Sequence, residues 1–397
     1  MPRTKTIFIS DIHMGDRRSM EDPNHYCWFK ENIPHLVNFL EEQRKAADVK
    51  EVVILGDLFD TWIIPDDCDP LTSFHSICSS DENNENKEVI KSLRALAAHP
   101  EIKVSYLLGN HDMAMNAKGI DTTKEFIAAT FPGVGCLFSQ ADALGKYGDG
   151  NLLAEHGNRY CLFNGPDKVT KPDSFLPLGY FISRLVATVA KEKGKMLMSN
   201  PLDYCKAGYY FISNWERKPN FFEDMLDAIA RKAGKDSDES IKLMGVPGYR
   251  DSMTLSEIGK GFKNAFENWG KNRENIQLSN AFTSELNKFW LAASRQFLGG
   301  RKIVIFGHTH EPLIYPEYDR DVYARGINAG TAPDEIPCLR IYANSGGWVD
   351  QKYYPGHECT YVESEEVKAR DGWRHYVRLK TYPGNILKDE RFVVIDK

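Results

Sequence analysis

The chain has 397 residues, of which 42% are hydrophobic and 27% charged, and it carries a formal net charge of −6. This composition excludes a fibrous or intrinsically disordered protein, because enough apolar residues are present to form a sizeable core. The eight cysteines form no CxxC pair, which is typical of a reducing compartment rather than of a disulfide-stapled secreted fold. No apolar stretch reaches the roughly 18 residues of a membrane-spanning helix. We therefore expect a cytoplasmic protein without a signal peptide.

Six short apolar runs are each followed at once by polar residues, and helical patterns lie between them. The runs are Thr6–Ser10, Glu51–Leu55, Lys103–Leu108, Leu152–Ala154, Lys302–Phe306 and Arg340–Ala343. Runs rich in β-branched and aromatic residues, without alternation, are typical of strands buried on both faces. Apolar residues at 36, 39 and 40, and again over 89–97, have helical spacing. This alternation predicts an α/β sandwich that binds its ligands at the carboxyl ends of the strands.

The regular alternation stops after Gly157 and resumes near Arg301. The residues between, 158–300, contain the helical patterns Phe221–Ala233 and Ala281–Leu298. We expect a helical cap at 158–300, inserted into a catalytic domain made of residues 1–157 and 301–397. Two shorter segments, 65–86 and 316–337, are predicted to be loops, the first because of its Asp, Ser and Asn content.

The predicted cap differs in charge from the rest of the chain. Residues 158–300 have a net charge of +5, and the remaining residues have −11. A basic cap over an acidic body favours an anionic substrate, or peripheral contact of the cap with the inner face of a membrane. An ordinary solvated surface is the alternative, since the excess of positive charge is modest.

Histidines and oxygen ligands cluster directly after the predicted strands. Seven side chains in these clusters are candidate metal ligands: Asp11, His13, Asp57, Asn110, His156, His308 and His310. Imidazoles mixed with carboxylates, without thiolates, are typical of Mn²⁺, Fe or Zn²⁺ sites rather than of Ca²⁺ or structural zinc sites. Two of the pairs have i, i+2 spacing, which places both side chains on one face of an extended chain. Seven ligands are enough for two ions if one carboxylate bridges them.

Each of these motifs also has a simpler explanation when it is taken alone. A Gly-Asp pair after a strand is a common turn, and Asn or Asp in a Gly-Asn-His-Asp run can cap a turn. The conjunction of five clusters, each at the end of a strand, is what favours a metal centre over five unrelated turns.

Taken together, the motifs resemble those of the calcineurin-like metallophosphoesterases. They read Asp11-Ile-His13, Gly56-Asp57-Leu-Phe-Asp60, Gly109-Asn110-His111-Asp112, His156-Gly157 and Gly307-His308-Thr-His310. The resemblance implies a four-layer α/β/β/α metallophosphoesterase sandwich with a helical cap insertion and two divalent metal ions. Manganese is the ion that we expect, with iron, zinc and magnesium as alternatives. By the same resemblance, Asp57 bridges the two ions, and the other ligands divide between them as follows: Asp11, His13 and His310 at the first ion, and Asn110, His156 and His308 at the second.

The expected reaction is attack on phosphorus by a hydroxide that bridges the two ions. We expect His111 to act as a general acid or charge stabiliser beside the metals, and Asp60 to orient its imidazole. A helix N-cap is the alternative role for Asp60. Arg159, Arg17 and Asn110 are candidate substrate-binding residues. For the two arginines the reason is that a guanidinium can bind a phosphate through two hydrogen bonds. Solvated loop side chains are the alternative for the two arginines.

Further motifs resemble the branch of this family that contains the UDP-2,3-diacylglucosamine diphosphatases. They are Gly56–Trp62, His156–Cys161, Gly307–Pro312 and Asn344–Val349. The resemblance implies hydrolysis of a phosphodiester or diphosphate bond in a nucleotide-linked or lipid-linked substrate, with acyl chains received by apolar stretches of the cap such as 175–182 and 209–212. Two departures stand against this substrate: the branch usually has Arg in place of His111 and Asp in place of Asn158.

Other functions of the same fold remain open from the sequence. His111 restores the pattern of general phosphodiesterases and phosphomonoesterases, so a simpler ester is an alternative. A nuclease is disfavoured because the part that bears the motifs is acidic, whereas nucleic-acid binding needs a basic groove. A non-catalytic scaffold is disfavoured because the ligand set is complete. The sequence predicts no oligomeric state.

Overall fold

The structure is a computed structural model in which parts of the chain are described. The described residues are 2–17, 19, 27–64, 70–113, 115, 119–161, 164–165, 176–193, 224, 226–228, 230–231, 235–236, 238–242, 250, 252–260, 285–352, 355–370 and 372–396.

Strands and helices alternate through the first half of the described chain, and strands dominate its end. The strands are β1 (Lys5–Ile9), β2 (Val49–Leu55), β3 (Lys103–Leu107), β4 (Val134–Cys136), β5 (Tyr147–Asp149), β6 (Leu152–Ala154), β7 (Ser240–Lys242), β8 (Ser252–Thr254), β9 (Ile303–Phe306), β10 (Leu313–Glu317), β11 (Arg340–Asn344), β12 (Cys359–Ala369), β13 (Gly372–Tyr382) and β14 (Ile386–Ile395). The α-helices are α1 (Ile33–Lys45), α2 (Pro70–Ile77), α3 (Lys87–Ala97), α4 (Ile120–Thr130), α5 (Leu178–Lys193), α6 (Glu285–Leu298) and α7 (Arg320–Asn328).

Two mixed sheets form the centre of the molecule. The first has the strand order β14-β13-β12-β1-β2-β3-β4, and the second has the order β10-β11-β9-β6-β5. Strands β1 to β4 are parallel to one another, as are β6, β9 and β11. The carboxyl ends of parallel strands meet at one edge of a sheet, so the polar residues that follow β1, β2 and β3 are brought together, as are those that follow β6 and β9.

Each of the two sheets buries side chains on both of its faces. In β1, Ile7 and Ile9 pack toward the helices, whereas Phe8 packs between the two sheets. In β9, Ile305 packs between the sheets, and Phe306 packs against α6. The layers are therefore helices α1, α3 and α4, the first sheet, the second sheet and α6. This arrangement confirms the predicted α/β/β/α sandwich.

The six predicted strands are present, with boundaries that differ by a residue or two from the apolar runs. The helical patterns at 36–40 and 89–97 lie within α1 and α3. The two predicted loops are wrong in part. Segment 65–86 contains α2, and segment 316–337 contains the end of β10 and all of α7. Helix α7 is short and buries none of its residues completely. The Asp319 side chain caps its first turn by accepting hydrogen bonds from two backbone N–H groups.

Much of the predicted cap lies outside the described residues, including the apolar stretch 209–212 and most of the predicted helix 221–233. In the stretch 175–182, Tyr180 and Phe181 of α5 are fully buried in the same apolar cluster as Trp62. These two side chains therefore pack into the protein core rather than lining an open acyl pocket. Of the helix predicted at 281–298, the part from Glu285 onward is confirmed as α6. Among the described helices, none is both long and apolar enough to cross a bilayer.

Candidate metal centre

Loops from both sheets bring the candidate ligands to one place. Asp11 and His13 follow β1, and Asp57 follows β2. The loops are joined by backbone hydrogen bonds, since the N–H groups of Ile12 and His13 donate to the carbonyl oxygen of Asp57 at 2.9 and 2.8 Å. The remaining ligands come from the ends of β3, β6 and β9, namely Asn110, His156, His308 and His310.

One group of side chains lies around Asp11. The Nε2 atom of His310 is 3.2 Å from Asp11 Oδ1 and also 3.2 Å from His13 Nε2. The Nε2 atom of His13 is in turn 3.9 Å from Asp11 Oδ1. These three ligand atoms lie within 4.8 Å of one another, the spacing that one shared cation requires.

A second group lies around Asp57. The Nε2 atom of His156 is 3.1 Å from Asp57 Oδ2 and 3.0 Å from Asn110 Oδ1. His308 completes this group, with its ligand atom within 4.8 Å of those of Asp57 and His156. Asp57 Oδ2 is also 3.7 Å from His13 Nε2. Asp57 therefore lies between the two groups, with its Oδ2 atom close to a ligand atom of each.

The chemistry of these groups fits divalent cations. Asp11 Oδ1 is buried and accepts no hydrogen bond, although Asp11 Oδ2 accepts one from the backbone N–H of His308 at 2.9 Å. The Nδ1 atom of His156 lies 2.7 Å from the carbonyl oxygen of Leu55. If Nδ1 donates that hydrogen bond, the lone pair of Nε2 stays available to a metal. Two imidazole nitrogens 3.2 Å apart beside a carboxylate oxygen, as at His13 and His310, are a donor set that a cation stabilises.

Backbone strain is concentrated at the same residues. Five candidate ligands have a positive φ, a region that residues with a side chain rarely adopt: Asp11 (53°), His13 (57°), Asp57 (51°), His308 (72°) and His310 (58°). Among the described non-glycine residues, Asn385 is the other one with positive φ. Such conformations cost of order 1 to 3 kcal/mol each and persist where the surrounding structure enforces them, commonly at functional sites.

Two glycines of the motifs leave room for ligand carboxylates. A Cβ atom at Gly109 would lie 2.1 Å from Asp57 Oδ1, and one at Gly307 would lie 2.7 Å from Asp11 Oδ2. Either contact is far shorter than van der Waals distance. These two positions therefore require glycine for steric reasons.

The buried charges of the site shift each other's pKa. Burial acts to raise the pKa of Asp57, but His156 and His111 lower it to about 2. Burial and the nearby His156 lower the pKa of His308 to about 3. Burial also acts to lower the pKa of His156, but Asp57 and Asp11 raise it to about 9. The carboxylate of Asp57 is thus held ionised, as a metal ligand must be.

His111 and Asp60 lie beside the metal ligands and contact each other. His111 Nδ1 is 3.0 Å from Asp60 Oδ1, and Asp60 Oδ2 is 3.5 Å from His13 Nδ1. The same Asp60 Oδ1 accepts hydrogen bonds from the backbone N–H groups of Trp62 and Ile63, each at 2.9 Å. Burial would lower the pKa of His111, but Asp60 and Asp57 raise it above its ordinary value. Asp60 therefore caps a turn and contacts His111 at the same time.

The two candidate substrate arginines are already engaged in ion pairs. Arg159 Nε lies 2.6 Å from Glu155, and its NH2 group lies 3.1 Å from Asp142. Arg17 lies 3.4 Å from Asp81 at the surface.

Two residues that sequence reasoning gave no role support the candidate ligands. Asp112 accepts hydrogen bonds from the backbone N–H groups of Phe59 at 2.9 Å and Gly109 at 3.1 Å, which ties the loops after β2 and β3 together. Burial and the charge of Asp57 raise the pKa of Asp112 to about 7. Ser10 donates a short hydrogen bond to Asp11 Oδ2. The signal for both was present in the sequence, since each adjoins a ligand motif.

Comparisons with known proteins agree with this geometry. The sequence model of the family described as calcineurin-like phosphoesterase matches residues 4–312. Two curated relatives are named UDP-2,3-diacylglucosamine hydrolase. The one from Aeromonas salmonicida is 27% identical over 202 residues, which cover 49% of this chain and 64% of the relative. The one from Tolumonas auensis is 29% identical over 112 residues, which cover 28% of this chain and 34% of the relative.

The chain thus spans between about a third and two thirds of the length of these curated relatives. A crystal structure of a dimetal phosphatase from Danio rerio aligns over 100% of both chains at 9% identity, with a low TM-score of 0.39. The family match extends over most of the chain and includes all five motifs. The chain belongs to the family of calcineurin-like phosphoesterases.

Proposed function

We propose that this protein hydrolyses a phosphodiester or diphosphate bond with two divalent metal ions, most readily Mn²⁺. Asp11, His13 and His310 would hold the first ion, Asn110, His156 and His308 would hold the second, and Asp57 would contribute to both. The observation that carries the proposal is the convergence of seven N and O ligands from both sheets, with Asp57 between the two groups.

When bound, two divalent ions supply Lewis-acid activation of water and of the phosphoryl group. His111 then supplies the proton that the leaving group needs. The oxygen of water adds to phosphorus, and the electron pair of the breaking P–O bond passes to the leaving oxygen. That oxygen takes a proton from Nε2 of His111, and the proton that water loses passes to solvent. Asp60 contacts the other ring nitrogen, Nδ1, at 3.0 Å. In this orientation Nε2 points away from Asp60 and is available to donate its proton.

For the substrate we propose a nucleotide-linked or lipid-linked diphosphate of the UDP-2,3-diacylglucosamine type. The names of the curated relatives support this class. A phosphomonoesterase is the second candidate, favoured by His111, which stands where the diphosphatase branch usually has Arg. The ion pairs of Arg159 with Glu155 and Asp142 weigh against a free role for this arginine in binding phosphate.

We also propose that residues 158–300 form the cap over a catalytic domain of residues 1–157 and 301–397. A cytoplasmic location, and contact of the basic cap with the inner face of the membrane, likewise stay proposals. Sedimentation of the protein with vesicles that contain anionic lipid, compared with neutral vesicles, tests the membrane contact.

A substrate panel tests the proposed reaction. The purified chain is loaded with Mn²⁺ and assayed on UDP-2,3-diacylglucosamine, bis-p-nitrophenyl phosphate, p-nitrophenyl phosphate and single-stranded DNA. We expect hydrolysis of the first two, loss of activity in Asp57→Asn, and full activity in Asp389→Asn, a matched change on β14 far from the ligands. Hydrolysis of the monoester alone would contradict the proposed substrate class. An active Asp57→Asn protein would contradict the dimetal mechanism.

A further inference from the structure

A tryptophan lies flat against His111. The indole of Trp62 and the imidazole of His111 have ring centroids 4.5 Å apart and planes inclined by 24°, a stacked arrangement. Trp62 is 1% exposed, and His111 is 6% exposed. Aromatic rings this close, in a packed interior, restrict each other's rotation, because turning one ring would drive its edge into the face of the other.

The stack supplies a restraint that the hydrogen bond to Asp60 does not. A single hydrogen bond at Nδ1 places one atom of the imidazole but leaves the ring plane free to turn about that bond. The indole of Trp62 is the ring that stacks on the imidazole face, whereas the His13 ring meets it edge-on at 4.5 Å and the Trp28 ring lies tilted at 5.7 Å. Both restraints involve the same atom, because Asp60 Oδ1 contacts His111 Nδ1 and also accepts a hydrogen bond from the backbone N–H of Trp62.

Trp62 is in turn supported from the predicted cap. Tyr180 of helix α5 packs its ring edge-on against Trp62, with centroids 5.9 Å apart and planes inclined by 85°. Tyr180 is fully buried, and it belongs to the same apolar cluster as Trp62. A continuous line of packed rings therefore runs from α5 through Trp62 to His111.

We propose that Trp62 is a positioning residue for His111. Together with Asp60 it holds the imidazole plane in which Nε2 reaches the leaving oxygen, and α5 holds Trp62 through Tyr180. This inference rests on the proposed function, in which His111 is the proton donor. Displacing a reacting group by about 1 Å can cost roughly 100-fold in rate, so loss of the stack has a measurable effect.

The dependence of rate on the leaving group tests this inference. A phenolate with a pKa near 10 needs a proton to leave, whereas p-nitrophenolate is a weaker base and departs with less help. We expect Trp62→Met to lower kcat roughly 10- to 100-fold on a phenyl phosphodiester and far less on bis-p-nitrophenyl phosphate. Trp62→Phe keeps an aromatic face and restores the phenyl ester activity. The metal content of each variant, measured by elemental analysis, stays that of the wild type.

Trp348 offers a matched control. It is as deeply buried as Trp62, but its ring packs on Phe39 and Tyr382, at centroid distances of 5.1 and 5.9 Å. Trp348→Met therefore changes a buried tryptophan without touching His111, and it should affect both esters equally. If Trp62→Met does not fold, Tyr180→Leu is assayed instead, and a smaller loss confined to the phenyl ester is expected.

The comparison with His111→Ala separates the positioning role of Trp62 from proton donation by His111. We expect His111→Ala to show the same selective loss, and Trp62→Met to add nothing to it in the double variant, because both act through one proton transfer. An equal loss on both esters in Trp62→Met, or no loss, overturns the positioning role. Absence of selective loss in His111→Ala itself overturns the proposed proton donor, and the positioning role with it.

Discussion

Gly109 lies directly against the carboxylate of Asp57, and an alanine at residue 109 tests this contact. A methyl group at residue 109 would lie 2.1 Å from Asp57 Oδ1, 2.7 Å from Asp57 Cγ and 2.6 Å from the backbone nitrogen of Asp57. Because one of the three atoms is the backbone nitrogen of Asp57, turning the Asp57 side chain alone cannot relieve the clash. Gly109→Ala therefore has to separate the loop at residue 109 from Asp57.

The size of the effect follows from the distances. Relief of the contact to an ordinary 3.4 Å separation requires Asp57 Oδ1 to move by more than 1 Å. A shift of this size in a ligand or its support costs roughly 10- to 100-fold in metal affinity. Overpacking of a buried contact costs about 1 to 3 kcal/mol in unfolding free energy. We expect Gly109→Ala to fold with reduced stability and to lose at least the ion that depends most on Asp57.

Isothermal titration with Mn²⁺, together with thermal unfolding of the metal-free protein, measures both effects. Gly135→Ala on β4 is the control, since a Cβ there would meet Val104 O at 3.7 Å, an ordinary contact. It should leave metal affinity unchanged. Wild-type manganese affinity in Gly109→Ala would refute the assignment of Asp57 as the shared ligand.

Three further changes test other parts of the structure. Ser10→Ala removes the hydroxyl that donates to Asp11 Oδ2 and should weaken Mn²⁺ binding roughly 10- to 100-fold by titration; unchanged affinity would show that this hydroxyl does not orient Asp11. Glu363→Gln should lower the free energy of unfolding by about 2 kcal/mol near pH 7 in denaturant titrations, because buried Glu363 pairs with Lys380 at 2.8 Å. Burial acts to raise the pKa of Glu363, but Lys380 and other cations lower it below its ordinary 4.5, so the difference between variant and wild type should shrink as the pH falls below about 4.5; a difference that grows in acid contradicts this sign. Phe297→Ala, in the cluster between α6 and the second sheet, should cost about 3 to 5 kcal/mol and leave manganese affinity intact, and a smaller cost would mean that α6 packs loosely.

Much of the site could be predicted because its signal is local. Asp11, Asp57 and His308 each stand two residues after a buried strand, and the carboxyl ends of parallel strands lie together in any α/β sheet. The prediction of a shared centre therefore needed only the strand ends and the residue types. It did not need the order of the strands in either sheet.

The contacts that orient the site could not be predicted, because they join residues far apart in the chain. The stack of Trp62 on His111 depends on how two loops cross, and so does the approach of Gly109 to Asp57. The positive φ of Asp11 could not be predicted from its residue type, because aspartate is also common in ordinary turns. Such features follow from tertiary packing.

The strands at the end of the chain were missed for a different reason. In β13, Val377 and Leu379 face the second sheet while Arg378 and Lys380 alternate with them. This alternation is the pattern of a strand with one buried and one polar face. The Asp-Gly pair at positions 371 and 372 of the sequence is a further hairpin signal. These signals were readable, but the uninterrupted apolar runs of the motif-bearing strands are stronger.

The number of metal ions bound per chain distinguishes a centre of two ions from a centre of one. The metal-free protein is titrated with Mn²⁺ and the bound ions are counted by calorimetry and elemental analysis, with electron paramagnetic resonance to detect coupling between them. The proposed contribution of Asp57 to both ligand groups predicts two magnetically coupled ions per chain, and their loss in Asp57→Asn. A single ion, or two uncoupled ions that survive the Asp57→Asn substitution, would contradict a dimetal centre built on this carboxylate.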